Sequence, residues 1–175
     1  DSLRYQTLRL KRTVYGGGGI MPDIFVPIDT ARFTDYHREI VARGILNKVT
    51  AQYIDRNRVE LKKKYATFDK FKKSFEVDNA LLEQLKAAAE KEKIEVKVTL
   101  KSLSDSSELV AKKKLEGDKQ FELSKPLIKL QIKALVARDL WEMNQYYQIM
   151  DAENESLQKA VEILQTPGAY EKILK

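Results

Sequence analysis

The sequence has no cysteine and a single histidine, His37, among its 175 residues. The first absence excludes a disulfide scaffold, a thiol nucleophile and any Cys-ligated zinc or iron–sulfur centre. The second excludes a metal centre built from several imidazoles. No apolar run approaches the ~18 residues that would suggest a membrane-spanning helix, so no membrane span is expected. There is no internal repeat at a solenoid period and no low-complexity tract. What is present suits one packed domain, or one domain with part of another: 43% of residues are apolar and 33% charged. Lys plus Arg number 32 against 26 Asp plus Glu, a net charge of +6. That mild basic excess permits attraction to anionic partners without requiring it.

The chain opens at Asp1 without Met, a basic n-region or an apolar h-region, and is strand-like within a few residues. It therefore reads as the tail of something longer. Leu8, Leu10 and Val14-Tyr15 suggest a β segment, interrupted by the consecutive glycines Gly16 to Gly19; Ile24-Phe25-Val26, after Pro22-Asp23, suggests a second strand. Strand, glycine turn, strand is the expectation, and such a pair wants a larger sheet to join.

From Thr34 onward the spacing is helical. Thr34 or Asp35 can cap a helix carrying Tyr36, Ile40 and Val41, with Gly44 at its end and Ile45, Val49 and Tyr53 continuing. Leu61, Tyr65, Phe68, Phe71 and Phe75 form an aromatic-rich stripe at helical spacing. Asp78 can cap a helix holding Leu81, Leu82, Leu85 and Ala88. Ile94, Val96, Val98 and Leu100 alternate as in a strand, although an extended connection fits equally. A turn over 102–107, a short helix over 108–115 and a weakly specified join over 117–124 lead to the strongest helix, which is expected to start near Pro126. Leu127, Leu130, Ala134, Ala137 and Trp141 form one stripe on it, and Ile128, Ile132, Leu135 and Leu140 a second, so this helix should be central. After a turn at Asp151 to Asn154, a helix carries Leu157, Ala160, Val161 and Leu164, closed by Pro167-Gly168 before a last turn through Tyr170, Ile173 and Leu174.

The stretch from Thr13 through Tyr15-Gly16-Gly17-Gly18-Gly19-Ile20-Met21-Pro22-Asp23 to Val26 resembles the segment that follows the catalytic core in carboxy-terminal processing (tail-specific) serine peptidases, in the variant of Bacteroidetes-type envelope proteases. Lys133 to Trp141 with Tyr146-Tyr147 is similar to the helical tail of that subgroup. Arg9-Leu10-Lys11-Arg12 departs from the Gly-Arg usual there, so only Arg12 maps. The resemblance implies a Ser nucleophile and a Lys base upstream of the glycines. Neither Ser2 nor Lys11 has the required surroundings, so no catalytic residue carries over to this chain. It also implies a periplasmic or cell-envelope location, an upstream protease core as neighbour, protein or peptide substrates for the parent enzyme, room for a homo-oligomer, and no metal or organic cofactor.

Each sharper functional signal has a plainer counterpart. A phosphate cradle needs Gly-Lys-Ser/Thr leading into a helix, whereas these glycines lead to Ile20-Met21-Pro22, so a structural turn is expected. His37, with Asp35 and Glu39 near it, is explained by a surface helix. Arg56, Arg58, Lys62, Lys63, Lys64, Lys70, Lys72 and Lys73, interleaved with Tyr65, Phe68 and Phe71, read as a solvated basic face over an aromatic core; a nucleic-acid surface is the alternative. Trp141, Tyr146 and Tyr147 are expected in the core rather than along a peptide groove. Asp151 and Glu153 read as caps rather than an acid–base pair. The expected molecule is thus mainly α (α+β): terminal strands over 1–33, then a multi-helix domain over 34–175. It is a noncatalytic part of a processing peptidase; a helical module for anionic partners such as nucleic acid is the alternative.

Overall fold

The computed structural model describes residues 3–17, 19, 22–94, 96 and 106–174, and of residues 106–109 the backbone alone. It is mainly helical, 68% helix, with an N-terminal two-stranded antiparallel sheet ahead of the helices. Strands β1 (Arg4–Gln6) and β2 (Thr13–Tyr15) pair Arg4 with Tyr15, Tyr5 with Val14 and Gln6 with Thr13. The helices among the described residues are α1 (Asp35–Ala42), α2 (Ile45–Lys64), α3 (Phe68–Ser74), α4 (Asn79–Lys91), α5 (Ser106–Leu140), α6 (Met143–Met150), α7 (Glu155–Gln165) and α8 (Ala169–Ile173). Two compact units emerge, Asp29–Ala152 and a smaller one of Asp1–Ile28 with Glu153–Lys175. Where the sequence suggests one join at 33/34, chain contacts divide at 28/29 and again at 152/153.

The strand pair is not the one expected. Both strands precede the glycines, and residues 22–30 form neither strand nor helix. The hairpin closes earlier because Thr7 and Arg12 hold its loop. The Thr7 amide donates to the Arg12 carbonyl at 2.9 Å, and the Arg12 amide donates to the Thr7 hydroxyl at 3.0 Å. Within the same unit, Ile24 to Pro27 lie beside α7, lining a crevice with its Glu155, Gln158, Lys159 and Glu162.

In the larger unit, local capping chemistry sets the helix starts. Thr34 caps α1 by accepting from the His37 amide, Asp78 caps α4 by accepting from the Leu81 amide at 2.7 Å, and Thr67 caps α3 by accepting from the Lys70 amide. Gly44, at φ 68°, takes the left-handed conformation that lets α1 turn directly into α2. The Thr67 cap also divides the aromatic stripe, which is not one helix: Leu61 ends on α2, and Phe68 and Phe71 lie on α3. The rings still converge, because the turn between the helices folds them together. Tyr65 meets Phe71 edge-on at 5.4 Å, and Phe71 stacks on Phe75 at 4.5 Å.

The largest correction concerns α5. Instead of a short helix, a join and a new helix at Pro126, one helix runs from Ser106 to Leu140 with Pro126 inside it. Proline cannot donate to the carbonyl one turn back, and it starts helices more comfortably than it continues them. Here tertiary burial overrides that local preference. Phe121, Ser124, Ile128, Ile132 and Leu135 follow at helical steps straight through Pro126, and all are buried. Ala134, Val136 and Ala137 are buried too, so the stretch 127–137 is apolar over most of its circumference, and α5 packs against α1, α2 and α6. Ile94 has no regular structure and Val96 is buried; the rest of the expected strand, Val98 and Leu100 included, lies outside the described residues.

Two outcomes are expected from this packing. Phe71→Ala should lower the unfolding free energy by ~3–5 kcal/mol, as for a buried aromatic truncated to a cavity. Pro126→Ala, at an exposed position, should raise it by ~1–3 kcal/mol by restoring a helix donor. Urea unfolding monitored by circular dichroism measures both.

Candidate functional site

The glycine segment sits at the end of β2. Gly16 is held there by backbone and by space. Its amide donates to the Leu3 carbonyl at 2.7 Å, and a Cβ on it would lie 2.7 Å from the Tyr5 ring. Gly17 and Gly19 have φ of 84° and 94°. Arg12 and Asp23, on either side of the glycines, form an ion-pair clamp. Gly18, Ile20 and Met21 lie outside the described residues. Around the clamp, Tyr5, Leu8, Leu10, Tyr15 and Phe25 are exposed, Phe25 to 82%.

His37 is not on a surface helix face. It is only 4% exposed, with its Nε2 hydrogen donating to Gln131 Oε1 at 2.9 Å and its Nδ1 buried without a partner. The ring of Phe33 meets it edge-on at 5.8 Å. Around it runs a polar seam that local sequence does not announce, because its partners lie 84 to 94 positions apart. The Tyr36 amide donates to Gln120 Oε1, and the Thr34 hydroxyl meets the Ser124 hydroxyl at 2.5 Å. These bonds satisfy groups that would otherwise be costly to bury where α1 meets α5.

Tyr36 reaches a crevice of about 360 Å³ bordered by Lys86, Lys93, Lys113, Lys114 and Asp118. Burial, and then the carboxylates of Glu90, Asp118 and Glu83, hold its phenol protonated far above its ordinary range. The Asp118 carboxylate, 3.1 Å from Lys86 Nζ, raises the Lys86 pKa.

A second groove, of about 330 Å³, is bordered by Val41, Gln131, Arg138, Met143, Tyr146 and Tyr147. Trp141 and Tyr146 are half-buried against the core, with Trp141 tilted 5.3 Å from Phe71. Tyr147 departs from the core expectation: it is 55% exposed, because it falls on the outer side of the short α6. Asp151 follows α6 as its C-terminal cap, while Asn154 rather than Glu153 caps α7.

The basic segment is solvated, as its spacing suggests. Lys62, Lys63, Lys70 and Lys73 are exposed, and Arg58 is held by Asp55 and Asp139. Lys133 donates to the Lys72 carbonyl at 2.8 Å at the end of α3. Burial pushes its ammonium below the usual lysine range; Glu76 opposes that shift and Lys72 adds to it. Among the described residues no three His, Asp or Glu side chains gather into a metal-binding group, and no helix is long and apolar enough to cross a membrane.

Residues 36–142, from the first turn of α1 to just past α5, match the model of a family of unknown function, DUF8443. The chain belongs to that family. No curated protein and no solved structure matches it. The DUF8443 stretch thus contains Tyr36, His37, their seam partners Gln120 and Gln131, and the basic segment; it leaves out Thr34 and stops before Met143, Tyr146 and Tyr147.

Tyr36 gives the seam a pH signature. An unfolded tyrosine titrates near pH ~10, whereas the folded phenol keeps its proton to higher pH. Its contribution to stability is therefore complete below ~10 and is lost as pH rises above that value. Between pH 9 and 11 the urea midpoint should fall more for the wild type than for Tyr36→Phe.

Proposed function

We propose that this chain is a noncatalytic accessory region of a carboxy-terminal processing serine peptidase, located in the cell envelope. The hairpin and glycine loop make the contact with the catalytic core. The helical unit contributes stability, substrate access or self-association. What supports the contact most directly is the hairpin surface. Tyr5, Val14 and Tyr15 on the two-stranded sheet, and Leu8 and Leu10 in the loop that joins its strands, are all exposed, and a two-stranded sheet is marginal alone. Such apolar exposure marks a surface that another body covers. Arg12 and Asp23 form an ion pair; Asp23 falls in the stretch that resembles the peptidase segment, and Arg12 maps onto the Gly-Arg usual just before it.

A second reading rests on the exposed cations Lys62, Lys63, Lys70 and Lys73, which offer a surface for anionic partners such as nucleic acid. Salt separates the two. A nucleic-acid surface would show affinity falling steeply with ionic strength, whereas the peptidase reading expects no binding at low salt.

The direct test is hydrolysis of unstructured peptides. This chain alone should be inactive. Joined to the sequence encoded upstream of it, it should form an active protein, with a Ser and a Lys in that upstream part required for turnover. Val14→Asp in the joined protein should cut turnover at least ~10-fold while the helical circular dichroism signal stays intact, since a charge replaces a buried apolar contact there. Hydrolysis by this chain alone, or an upstream sequence without such a serine and lysine, contradicts the proposal.

A further inference from the structure

The crevice beside Tyr36 carries more positive charge than its own carboxylates answer. Lys86, Lys93, Lys113 and Lys114 border it against Glu90 and Asp118, a net charge of +2. Asp118 is committed to Lys86 at 3.1 Å, and that ammonium also lies 5.2 Å from the centroid of the Phe121 ring. Lys93, Lys113 and Lys114 are exposed and pair with no described carboxylate, leaving Glu90 outnumbered three to one. The rest of the wall is largely aliphatic: Ala89, Ile94, Val96 and Val110. Tyr36 is 7% exposed, and its hydroxyl lies close enough to Glu90 and Asp118 to feel their charge, so it meets the crevice as a protonated donor. One lining residue has no packing reason to be what it is. Gly117 stands inside α5, where glycine weakens a helix relative to alanine. A Cβ on it would meet the Val96 side chain at an ordinary 3.8 Å, so alanine would fit the fold, and glycine instead leaves room in the crevice.

We propose that this crevice binds a small alkyl phosphate, a phosphate monoester on a short aliphatic chain. The phosphate lies among Lys93, Lys113 and Lys114, and the chain lies on Ile94, Val96 and Val110 beside Gly117. A phosphate monoester carries close to two negative charges at neutral pH, which matches the net charge of the crevice, whereas a carboxylate carries one. A nucleotide suits it less, because a base needs an aromatic face and the Tyr36 ring already meets Phe121 edge-on at 5.5 Å. The volume of about 360 Å³ is that of a small-molecule site. The assignment stands on the crevice alone, whatever precedes this chain, and uses none of the cations from Arg56 to Lys73.

The test is isothermal titration calorimetry of the whole chain at neutral pH and low salt, with octyl phosphate below its micelle concentration as the probe. Octyl phosphate should bind at least ~10-fold more tightly than octanoate or inorganic phosphate, the range of a charge-assisted hydrogen bond. Joint Lys113→Gln and Lys114→Gln, both at exposed positions, should weaken octyl phosphate at least ~10-fold and leave the urea midpoint unchanged. Gly117→Ala should raise the urea midpoint and yet weaken octyl phosphate ~5-fold or more, a split that a purely structural glycine would not show. Octanoate or inorganic phosphate binding as tightly as octyl phosphate, tighter binding of adenosine monophosphate, or no saturable binding each overturns the proposal. So does indifference to the lysine pair or to Gly117→Ala, or capture by phosphatidate-containing vesicles without binding of monomeric octyl phosphate.

Discussion

The larger unit depends on the burial of the second half of one helix, α5, over most of its circumference. Phe121, Ile128, Ile132 and Val136 on α5 are shut away from water, and so are Ala134 and Ala137 between them. At roughly 25 cal/mol per Å² of apolar surface removed from water, a helix of this kind outweighs the local cost of a proline within it. Its neighbours are arranged accordingly. α1 and α2 pack against it, and α6 folds back along it after Leu140. The few polar groups trapped against it, Ser124, Thr34 and His37, are bonded across the junction rather than left alone, save for one imidazole nitrogen.

Much of this was legible from spacing. The apolar stripes of Leu127 to Leu140 identify the central helix, and Thr34 and Asp78 sit where capping chemistry places them. The misreadings share a cause: a strong local signal outranked by a distant contact. Pro126 looks like a helix start until Phe121 and Ser124 are seen to be buried on the same face as Ile128. The glycine run looks like the hairpin turn, but Thr7 and Arg12 close the hairpin sooner. The aromatic stripe does predict a cluster, yet Thr67 divides it between two helices whose rings meet through the turn. His37 looks solvated among Asp35 and Glu39, because nothing near it in sequence reveals Gln131. The groove was the least legible feature, since its walls come from four helices. Tyr146 and Tyr147 were its one sequence signal.

Two surfaces of different character follow. On the hairpin, apolar residues stand exposed near the Arg12–Asp23 ion pair. On the helical unit, an aromatic groove is edged by one guanidinium and the amides of Asn47 and Gln131. The family match covers α1 to α5 and leaves the function of both surfaces open to chemistry. The core cluster of the larger unit, from Tyr36 to Ile149, is built from that unit's own side chains.

That self-sufficiency is what the account rests on, and native-state hydrogen exchange on this chain tests it most directly. The amides from Ile128 to Val136 should exchange slowest, only through global unfolding, while those of Arg4–Gln6 and Thr13–Tyr15 exchange faster by orders of magnitude. Hairpin amides protected as strongly as those of α5 would mean that the strands are already part of a finished core, and would contradict it.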